Sequence, residues 1–464
     1  MRHGTHVLET ARLHALGYRL ANSAPTPVER ATPNDMLQLT YDRGSVPAQV
    51  GAVLLMAGPA AEPDAARRAI AARVAGVPRL RQRLQPVPFG CGRPIWIDDE
   101  SFDIANHVPA LACPAPGDDR ALYDVAADLV TTRLDRARPP WRATVVTGLT
   151  HGRWAVVVVF HHVLADGIGG LAVLAHLADG FAPRCERRAP VPSPPVWRLA
   201  LDAAAERLRA IAGLPRTLRR IADGVTQSLP GVTLHAPATS LNQPTGPRRR
   251  LAVARVPLHA VRAVAHEHMG TVNDVVLAAV TGALRAVLRR RGEDITTIVV
   301  SVPVSGRASA GAELGNQVGV LPVVLPAAGD AHQRLTRIAR IMRERKHGQR
   351  GASAAVLEPA FRLLATLGAV RWLLDRQRMI NTLVTNLRGP AQPMTFLGTP
   401  VLDVVMVNGT TGNVSVAFGV LSYAGALNVS VVADPDVCPE HDALTAAVQE
   451  QLVMLTDTSS VHDD

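Results

Sequence analysis

The stretch Trp154-Ala155-Val156-Val157-Val158-Val159-Phe160-His161-His162-Val163-Leu164-Ala165-Asp166-Gly167 places two histidines where an apolar run gives way to a loop. Its β-branched run over residues 155–160 predicts a strand that is buried on both faces. Adjacent strand residues point to opposite faces, so both histidines line one cavity only if the strand has already ended, which argues against a two-histidine metal site. A single imidazole beside a loop carboxylate suits general-base chemistry. The alternative is a hydrogen-bonded core histidine without a catalytic role.

The residues that follow predict helices at three places. Asp166-Gly167 is a turn signal, and the small residues of 168–177 predict a helix that packs closely. Residues 196–223 predict a crossover helix that is interrupted near Pro215. A third helix is predicted over 275–290, with Asn273 or Asp274 accepting the free amide hydrogens of its first turn.

Strand patterns recur in the later part of the chain. Residues 298–304 and 318–325 predict buried strands, and residues 427–434 alternate like a half-exposed one. Strand and helix patterns thus alternate in both halves, which predicts an α/β fold built as sandwiches.

Further short motifs follow the order found in one known family. They are Thr32-Pro33-Asn34-Asp35, Pro78-Arg79-Leu80-Arg81-Gln82-Arg83-Leu84, Pro94-Ile95-Trp96, Pro139-Pro140-Trp141, Ser240-Leu241-Asn242, Asn273-Asp274, Gly315-Asn316, Asn386-Leu387-Arg388-Gly389-Pro390 and Ser422-Tyr423-Ala424-Gly425. With the His-His-x-x-x-Asp-Gly signature, the chain resembles the bacterial wax ester synthase/acyl-CoA:diacylglycerol acyltransferases, which belong to the chloramphenicol-acetyltransferase-like CoA-dependent acyltransferases. It departs from their pattern at Pro140, where leucine is usual, and at Leu387-Arg388, where valine-proline is usual.

The resemblance implies both a fold and a reaction. The fold is two α/β sandwich domains joined by a helical crossover, with the active site at their interface. In the reaction, His162 takes the proton from an acceptor alcohol, acyl-CoA is the co-substrate, and no cofactor or metal takes part. The acceptor is expected to be diacylglycerol or a long-chain fatty alcohol.

The resemblance also implies roles for the other motif residues. His161 supports its neighbour, Asp166 fixes the loop by pairing with an arginine, and Gly167 permits the turn. Asn273 is a candidate oxyanion donor. The residues expected to bind substrate or shape the site are Asp274, Gly315, Asn316, Asn386, Pro139 and Trp141.

Chain length is consistent with two domains. At 464 residues the chain is too long for one ordinary core. We expect an extension over 1–28, a first domain over 29–190, a crossover helix and linker over 191–247, a second domain over 248–456 and a disordered tail over 457–464.

Charge and composition restrict the kinds of partner that the chain is expected to bind. The formal net charge is +10, and Lys346 is the only lysine, so arginine supplies almost all the positive charge. Arginine pairs well with the phosphates of CoA, whereas aromatic residues make up only 3% of the chain, which argues against nucleic acid. The widely spaced Cys91, Cys113, Cys185 and Cys438 indicate neither a zinc site nor a disulfide framework. The amino terminus lacks the apolar core of a signal peptide, so we expect a cytoplasmic protein.

Two stretches combine apolar residues with arginine and tryptophan. They are residues 197–221 and 361–374. Such helices can lie in a membrane interface, which predicts peripheral contact with a membrane or lipid inclusion. The alternative is an ordinary surface helix that covers a core.

Three other functions compete with this interpretation. The sequence argues against a serine hydrolase, which needs a Gly-x-Ser-x-Gly elbow, because Gly306-Arg307-Ala308-Ser309-Ala310-Gly311 has the wrong spacing. A non-catalytic acyl-CoA or lipid-binding homologue and a carrier-protein-dependent condensing acyltransferase stay open as alternatives.

Overall fold

The helices and strands are given by a computed structural model that describes residues 28–42, 46–164, 170, 178–180, 193–228, 235–305, 318–348, 370–410 and 412–457. In chain order they are α1 (Pro33–Tyr41), β1 (Gln49–Met56), α2 (Pro63–Val74), β2 (Gln82–Gln85), β3 (Ile95–Asp98), β4 (Ala110–Ala112), α3 (Asp119–Thr131), β5 (Trp141–Thr147), β6 (Trp154–His161), α4 (Val196–Ser228), β7 (Arg250–Pro257), α5 (Leu258–Glu267), α6 (Val272–Arg290), β8 (Thr297–Ser305), β9 (Val318–Pro326), α7 (Ala331–Gly348), α8 (Val370–Leu374), β10 (Thr382–Arg388), β11 (Thr395–Phe396), β12 (Thr399–Val407), β13 (Val416–Tyr423), β14 (Ala426–Ala433) and α9 (His441–Thr456).

The first sheet has the strand order β11-β12-β1-β6-β5-β4. The valine-rich strand β6 lies at its centre, antiparallel to both β1 and β5, and all its residues are buried. Strand β12 comes from the later part of the chain, yet it pairs with β1, with Gly51 opposite Val407. Two regions distant in sequence therefore share one sheet.

The second sheet has the strand order β7-β14-β13-β10-β8-β9. The strands predicted over 298–304 and 318–325 are present as β8 and β9. The prediction of a half-exposed strand over 427–434 was wrong, because β14 is buried from Leu427 to Ala433. It lies between β7 and β13, and its two faces enter two different hydrophobic cores.

Among the described residues, the three largest hydrophobic cores hold the two six-stranded sheets and their helices together. One packs α6 and α9 against the second sheet, and another covers one face of the first sheet around Trp154. The third joins α3 to both sheets, since Val157 and Val405 of the first sheet share it with Leu251 and Val432 of the second. The predicted α/β class is therefore confirmed, and burial of apolar surface links its two halves.

Two helix predictions need correction. Helix α4 runs without a break from Val196 to Ser228 with Pro215 inside it, whereas an interruption was expected. A proline removes one backbone hydrogen bond, and a helix of this length can continue past it. Helix α6 begins at Val272 rather than at 275.

The expected linker after α4 is held in place over part of its length. Between residues 235 and 247, Ala236 N–H donates to the Arg378 carbonyl at 2.6 Å, and Thr245 N–H donates to the Gly412 carbonyl at 3.0 Å. The helix predicted over 168–177 lies outside the described residues except for Gly170, whose buried position leaves no room for a Cβ beside the Phe160 ring.

None of the described helices is long and apolar enough to cross a membrane by itself. The pair α5 and α6 meets the criteria of length and composition only when taken together, and it is bent by 95°.

Candidate active site

The turn after β6 carries the two histidines. His161 is the last residue of the strand, and His162 begins the turn. His162 N–H donates to the Ala48 carbonyl at 2.8 Å, and Leu164 N–H donates to the His161 carbonyl at 2.8 Å. Val163 and Leu164 are buried, whereas the side chain of His162 is half-buried. The backbone of the turn is therefore fixed where the His162 imidazole lies.

His161 has a different environment from its neighbour. Its side chain is buried, and its Nδ1 accepts a hydrogen bond from Val163 N–H at 3.0 Å. Since Nδ1 is the acceptor, the proton of the neutral ring lies on Nε2, which is 3.5 Å from Oδ2 of Asp42. These two contacts orient the ring and stabilise the turn.

Asp42 is the functional-site residue that sequence reasoning missed. Its carboxylate is buried, accepts from Ala48 N–H at 3.0 Å and from Arg133 Nη1 at 3.1 Å, and also pairs with Arg136. Burial alone raises the pKa of Asp42, but interactions with His161, Arg136 and Ala48 outweigh it, so this pKa lies well below the usual 3.8. The two arginines are 91 and 94 residues away in sequence, which is why no local motif pointed to this carboxylate. We call Asp42, His161, Arg133 and Arg136 the Asp42 cluster.

The segment Pro139-Pro140-Trp141 borders the same turn. His161 N–H donates to the Pro140 carbonyl at 2.9 Å, and Trp141 N–H donates to the Pro139 carbonyl at 2.8 Å. The indole of Trp141 donates to the Leu80 carbonyl at 2.7 Å and stacks on His107 with ring centroids 4.6 Å apart. Pro139 and Trp141 therefore support the backbone beside His161.

A small apolar pocket lies next to this turn. Its lining residues are Val74, Leu80, Trp141, Ala143, Val158, Phe160 and Leu164. Leu164 belongs to the turn itself, so apolar surface reaches the histidines from the core of the first sheet.

Asn273 and Asn386, predicted separately as site residues, are in contact. The amide group of Asn386 on β10 donates to Oδ1 of Asn273 on α6 at 3.2 Å. The capping prediction, which named Asn273 or Asp274, is confirmed for Asp274 and not for Asn273, and Thr271 is the N-cap of α6. Asp274 is buried at the third helical position, where its carboxylate accepts from Thr271 N–H at 2.8 Å and closes a capping box.

A second polar cluster lies where β10 begins. Oδ1 of Asn381 accepts from Val299 N–H at 2.9 Å, and its amide group donates to the Pro237 carbonyl and to Oδ1 of Asn242, each at 2.8 Å. Asn242 also donates to the Asn413 carbonyl at 3.3 Å, and Gln377 donates to Oδ1 of Asn413 at 2.6 Å. We call Asn242, Asn381, Asn413 and Gln377 the asparagine corner. The sequence pointed to Asn242 alone.

Four predicted site residues lie outside the described residues, namely Asp166, Gly167, Gly315 and Asn316. Within the described part of the chain, no group of three or more histidine, cysteine, aspartate or glutamate side chains is arranged to hold a metal ion.

Two family profiles match the chain. The profile described as wax ester synthase/diacylglycerol acyltransferase catalytic domain matches residues 32–276, and the WS/DGAT C-terminal domain profile matches residues 314–456. A Mycobacterium tuberculosis protein named as a diacylglycerol O-acyltransferase is 34% identical over 420 residues, which cover 88% of this chain and 90% of that protein. Another protein of that name from the same species is 30% identical over 402 residues, covering 83% and 86% of the two chains.

Solved structures share the fold of this chain. The wax ester synthase/diacylglycerol acyltransferase from Marinobacter aquaeolei VT8 superposes with a TM-score of 0.67 at 25% identity, covering 92% of this chain and 98% of that one. The first condensation domain of the calcium-dependent antibiotic synthetase superposes with a TM-score of 0.61 at 18% identity, covering 94% and 97%. The second match supports the expected two-domain fold and nothing further.

Proposed function

This chain belongs to the wax ester synthase/diacylglycerol acyltransferase family, and from that premise we propose that it transfers a long-chain acyl group from acyl-CoA to diacylglycerol or a long-chain fatty alcohol. His162 is the general base in this proposal. One observation carries that assignment: His162 is half-buried on a fixed turn, whereas His161 beside it is buried, with Nδ1 accepting from Val163 N–H and Nε2 lying 3.5 Å from Oδ2 of Asp42. His162 is therefore the histidine of the pair that suits contact with substrate.

The reaction needs one base that also acts as an acid. The imidazole of His162 removes the proton from the acceptor hydroxyl as that oxygen attacks the thioester carbonyl of acyl-CoA. Collapse of the tetrahedral intermediate breaks the carbon–sulfur bond, and the imidazolium gives its proton to the departing CoA thiolate. The products are an ester and free CoA, and the step requires no cofactor.

The tetrahedral intermediate needs a hydrogen-bond donor for its oxyanion. Loss of one such donor typically raises the barrier by about 3 kcal/mol. Asn273 accepts at its carbonyl oxygen from Asn386, which leaves its amide group as the side-chain donor. We assign this donor role to Asn273. Asp166 and Gly167 keep the proposed roles of fixing the loop and permitting the turn.

Acceptors of this kind dissolve in lipid rather than in water. We therefore place the protein on the cytoplasmic side of a membrane or at a lipid inclusion, in peripheral contact with its surface. Acyl-CoA then reaches the site from the aqueous side, and the acceptor reaches it from the lipid.

The test is release of free CoA from palmitoyl-CoA, with hexadecanol and dipalmitoylglycerol offered separately and the product lipid identified. Wild type should release CoA only when an acceptor is present. His162→Ala should reduce the rate by about 100-fold or more, since general-base catalysis contributes about 10²–10⁴. His259→Ala, at an exposed histidine on α5, is the matched control and should retain the wild-type rate.

Folding is checked for each variant by circular dichroism and thermal unfolding. A folded His162→Ala protein with near-wild-type turnover would refute the base assignment. Absence of CoA release by wild type with both acceptors, together with retained binding of palmitoyl-CoA, would instead favour the lipid-binding alternative.

A further inference from the structure

The outward face of helix α4 carries an apolar stripe. Trp197, Leu201, Leu208 and Ile211 are 65%, 64%, 68% and 66% exposed. At about 100° per residue, these side chains stay within roughly 40° of one line along the helix. Single exposed apolar residues are ordinary on protein surfaces, but a contiguous group of them marks a contact site.

The inward face of the same helix is firmly attached to the protein. Leu199 and Ala203 are buried, and Arg30 Nε donates to Oδ2 of Asp202 at 2.7 Å. Glu206 pairs with Arg93. Both acidic side chains in this part of α4 are thus engaged with the body of the protein, and the apolar stripe faces away from it.

Arginines lie on both sides of the stripe. By helical position, Arg198 and Arg209 flank one edge and Arg207 flanks the other. No aspartate or glutamate lies near the stripe between residues 196 and 213 apart from the two that pair inward. The outward face is therefore apolar along its centre and positive along its edges.

A loop extends this surface. Arg207 Nη2 donates to the Gly90 carbonyl at 2.7 Å, which places the preceding residue, Phe89, next to the helix. Phe89 is fully exposed. A second element thus presents a large apolar side chain beside the stripe.

We infer that the outward face of α4, together with Phe89, docks on an anionic lipid surface. An apolar stripe between arginines matches the acyl-chain boundary and the charged headgroups of such a surface. A second copy of this chain is a poorer occupant, because two copies facing each other would bring like-charged arginines together without acidic partners. The inference rests on the proposed function for its purpose, since the acceptor is dissolved in lipid.

The test is flotation with vesicles of phosphatidylcholine alone or of equal parts phosphatidylcholine and phosphatidylglycerol. Wild type should float with the anionic vesicles, and binding should weaken with added salt because the charges are screened. Leu201→Ser combined with Leu208→Ser should reduce the bound fraction roughly tenfold or more, because two large apolar side chains no longer enter the lipid. Arg209→Glu should reduce binding to the anionic vesicles and leave binding to vesicles of phosphatidylcholine alone unchanged.

Met454→Ser is the matched control, because Met454 is 52% exposed on helix α9 and lies outside this surface. It should float like wild type. Wild-type flotation by the double variant would overturn the inference. So would a wild-type dimer that does not bind vesicles and that the double variant converts to a monomer.

Activity assays separate this inference from the proposed function. The double variant should lose turnover of vesicle-embedded dipalmitoylglycerol while retaining CoA release with a short water-miscible alcohol. Wild-type protein that floats but releases no CoA with any acceptor would contradict the proposed function and leave the docking surface standing.

Discussion

The Asp42 cluster and the asparagine corner both fix chain segments beside a strand end, but they do so with different chemistry. In the first, a buried carboxylate holds His161 and two arginines. In the second, neutral amides bind one another and the backbone on either side of β10. A charged cluster depends on pH and solvent screening, whereas an amide cluster depends on geometry alone.

The location of the charged cluster has a consequence for the proposed base. Asp42 holds the His161 ring, and the turn that follows contains His162. The lowered pKa of Asp42 keeps this carboxylate ionised over the range in which a histidine titrates. The support beside the base therefore stays the same while the base itself gains and loses a proton.

The largest effect of changing either cluster should come from Asn381→Ala. It removes three hydrogen bonds and leaves Val299 N–H, the Pro237 carbonyl and Oδ1 of Asn242 without this partner. Buried groups deprived of partners destabilise by about 1–3 kcal/mol each when nothing replaces them. We expect the free energy of unfolding to fall by about 2–4 kcal/mol in urea titrations.

Gln243→Ala is its control, because Gln243 makes one exposed hydrogen bond to the Ser240 carbonyl. Its effect should stay within about 0.5 kcal/mol. If Asn381→Ala and Gln243→Ala lowered the free energy of unfolding equally, the buried hydrogen bonds of the asparagine corner would not stabilise the fold more than an exposed one does.

The parts of this molecule that the sequence predicted are those with local causes. The valine run of β6 and the apolar run of β8 predict strands, because β-branched side chains in series favour extended backbone wherever they lie. The α/β class follows from the order of such runs.

The parts that could not be predicted depend on distant partners. The pairing of β12 with β1 joins residues some 350 positions apart, and nothing in either strand specifies the other. Asp42 and Asn381 are single polar residues in unremarkable surroundings, and only the folded chain brings their partners to them. The error at β14 has the same origin, since alternation does not show that both faces of a strand will be covered.

A smaller effect, with a pH dependence, is expected for Asp42→Asn. At pH 7 it should lower the free energy of unfolding by about 1.5–3 kcal/mol, as for loss of a hydrogen bond to a charged group. Because the folded-state pKa of Asp42 lies below 3.8, its stabilisation is complete above that value and is lost as pH falls through the folded-state pKa. The difference between wild type and variant should therefore shrink below about pH 4.

Comparing the two proteins at each pH isolates Asp42. Burial raises the pKa of Asp35, so the contribution of Asp35 to the free energy of unfolding changes with pH in the opposite direction. This change is equal in wild type and in Asp42→Asn, and it therefore cancels in the comparison. Asp64→Asn is the matched control, because its partner Arg67 lies on the same exposed helix face. Asp64→Asn should lower the free energy of unfolding by less than about 0.5 kcal/mol. A difference for Asp42→Asn that stays constant from pH 7 to pH 3 would mean that its charge does not stabilise the fold.

The smallest effect should come from the contact between Asn273 and Asn386, which is neutral, like the asparagine corner, but only partly buried. A double-mutant cycle with Asn273→Ala, Asn386→Ala and the double variant should give a coupling energy of about 0.5–1 kcal/mol in unfolding free energy. In the CoA-release assay, Asn386→Ala should lower kcat less than Asn273→Ala does, because in the proposed mechanism Asn386 acts on the reaction only through the orientation of Asn273. Rescue of stability but not of kcat by Asn273→Asp would separate the two roles, since a carboxylate can accept from Asn386 and cannot donate to an oxyanion. Equal kcat values for Asn273→Asp and wild type would remove Asn273 from the reaction and leave it a purely structural neighbour of Asn386.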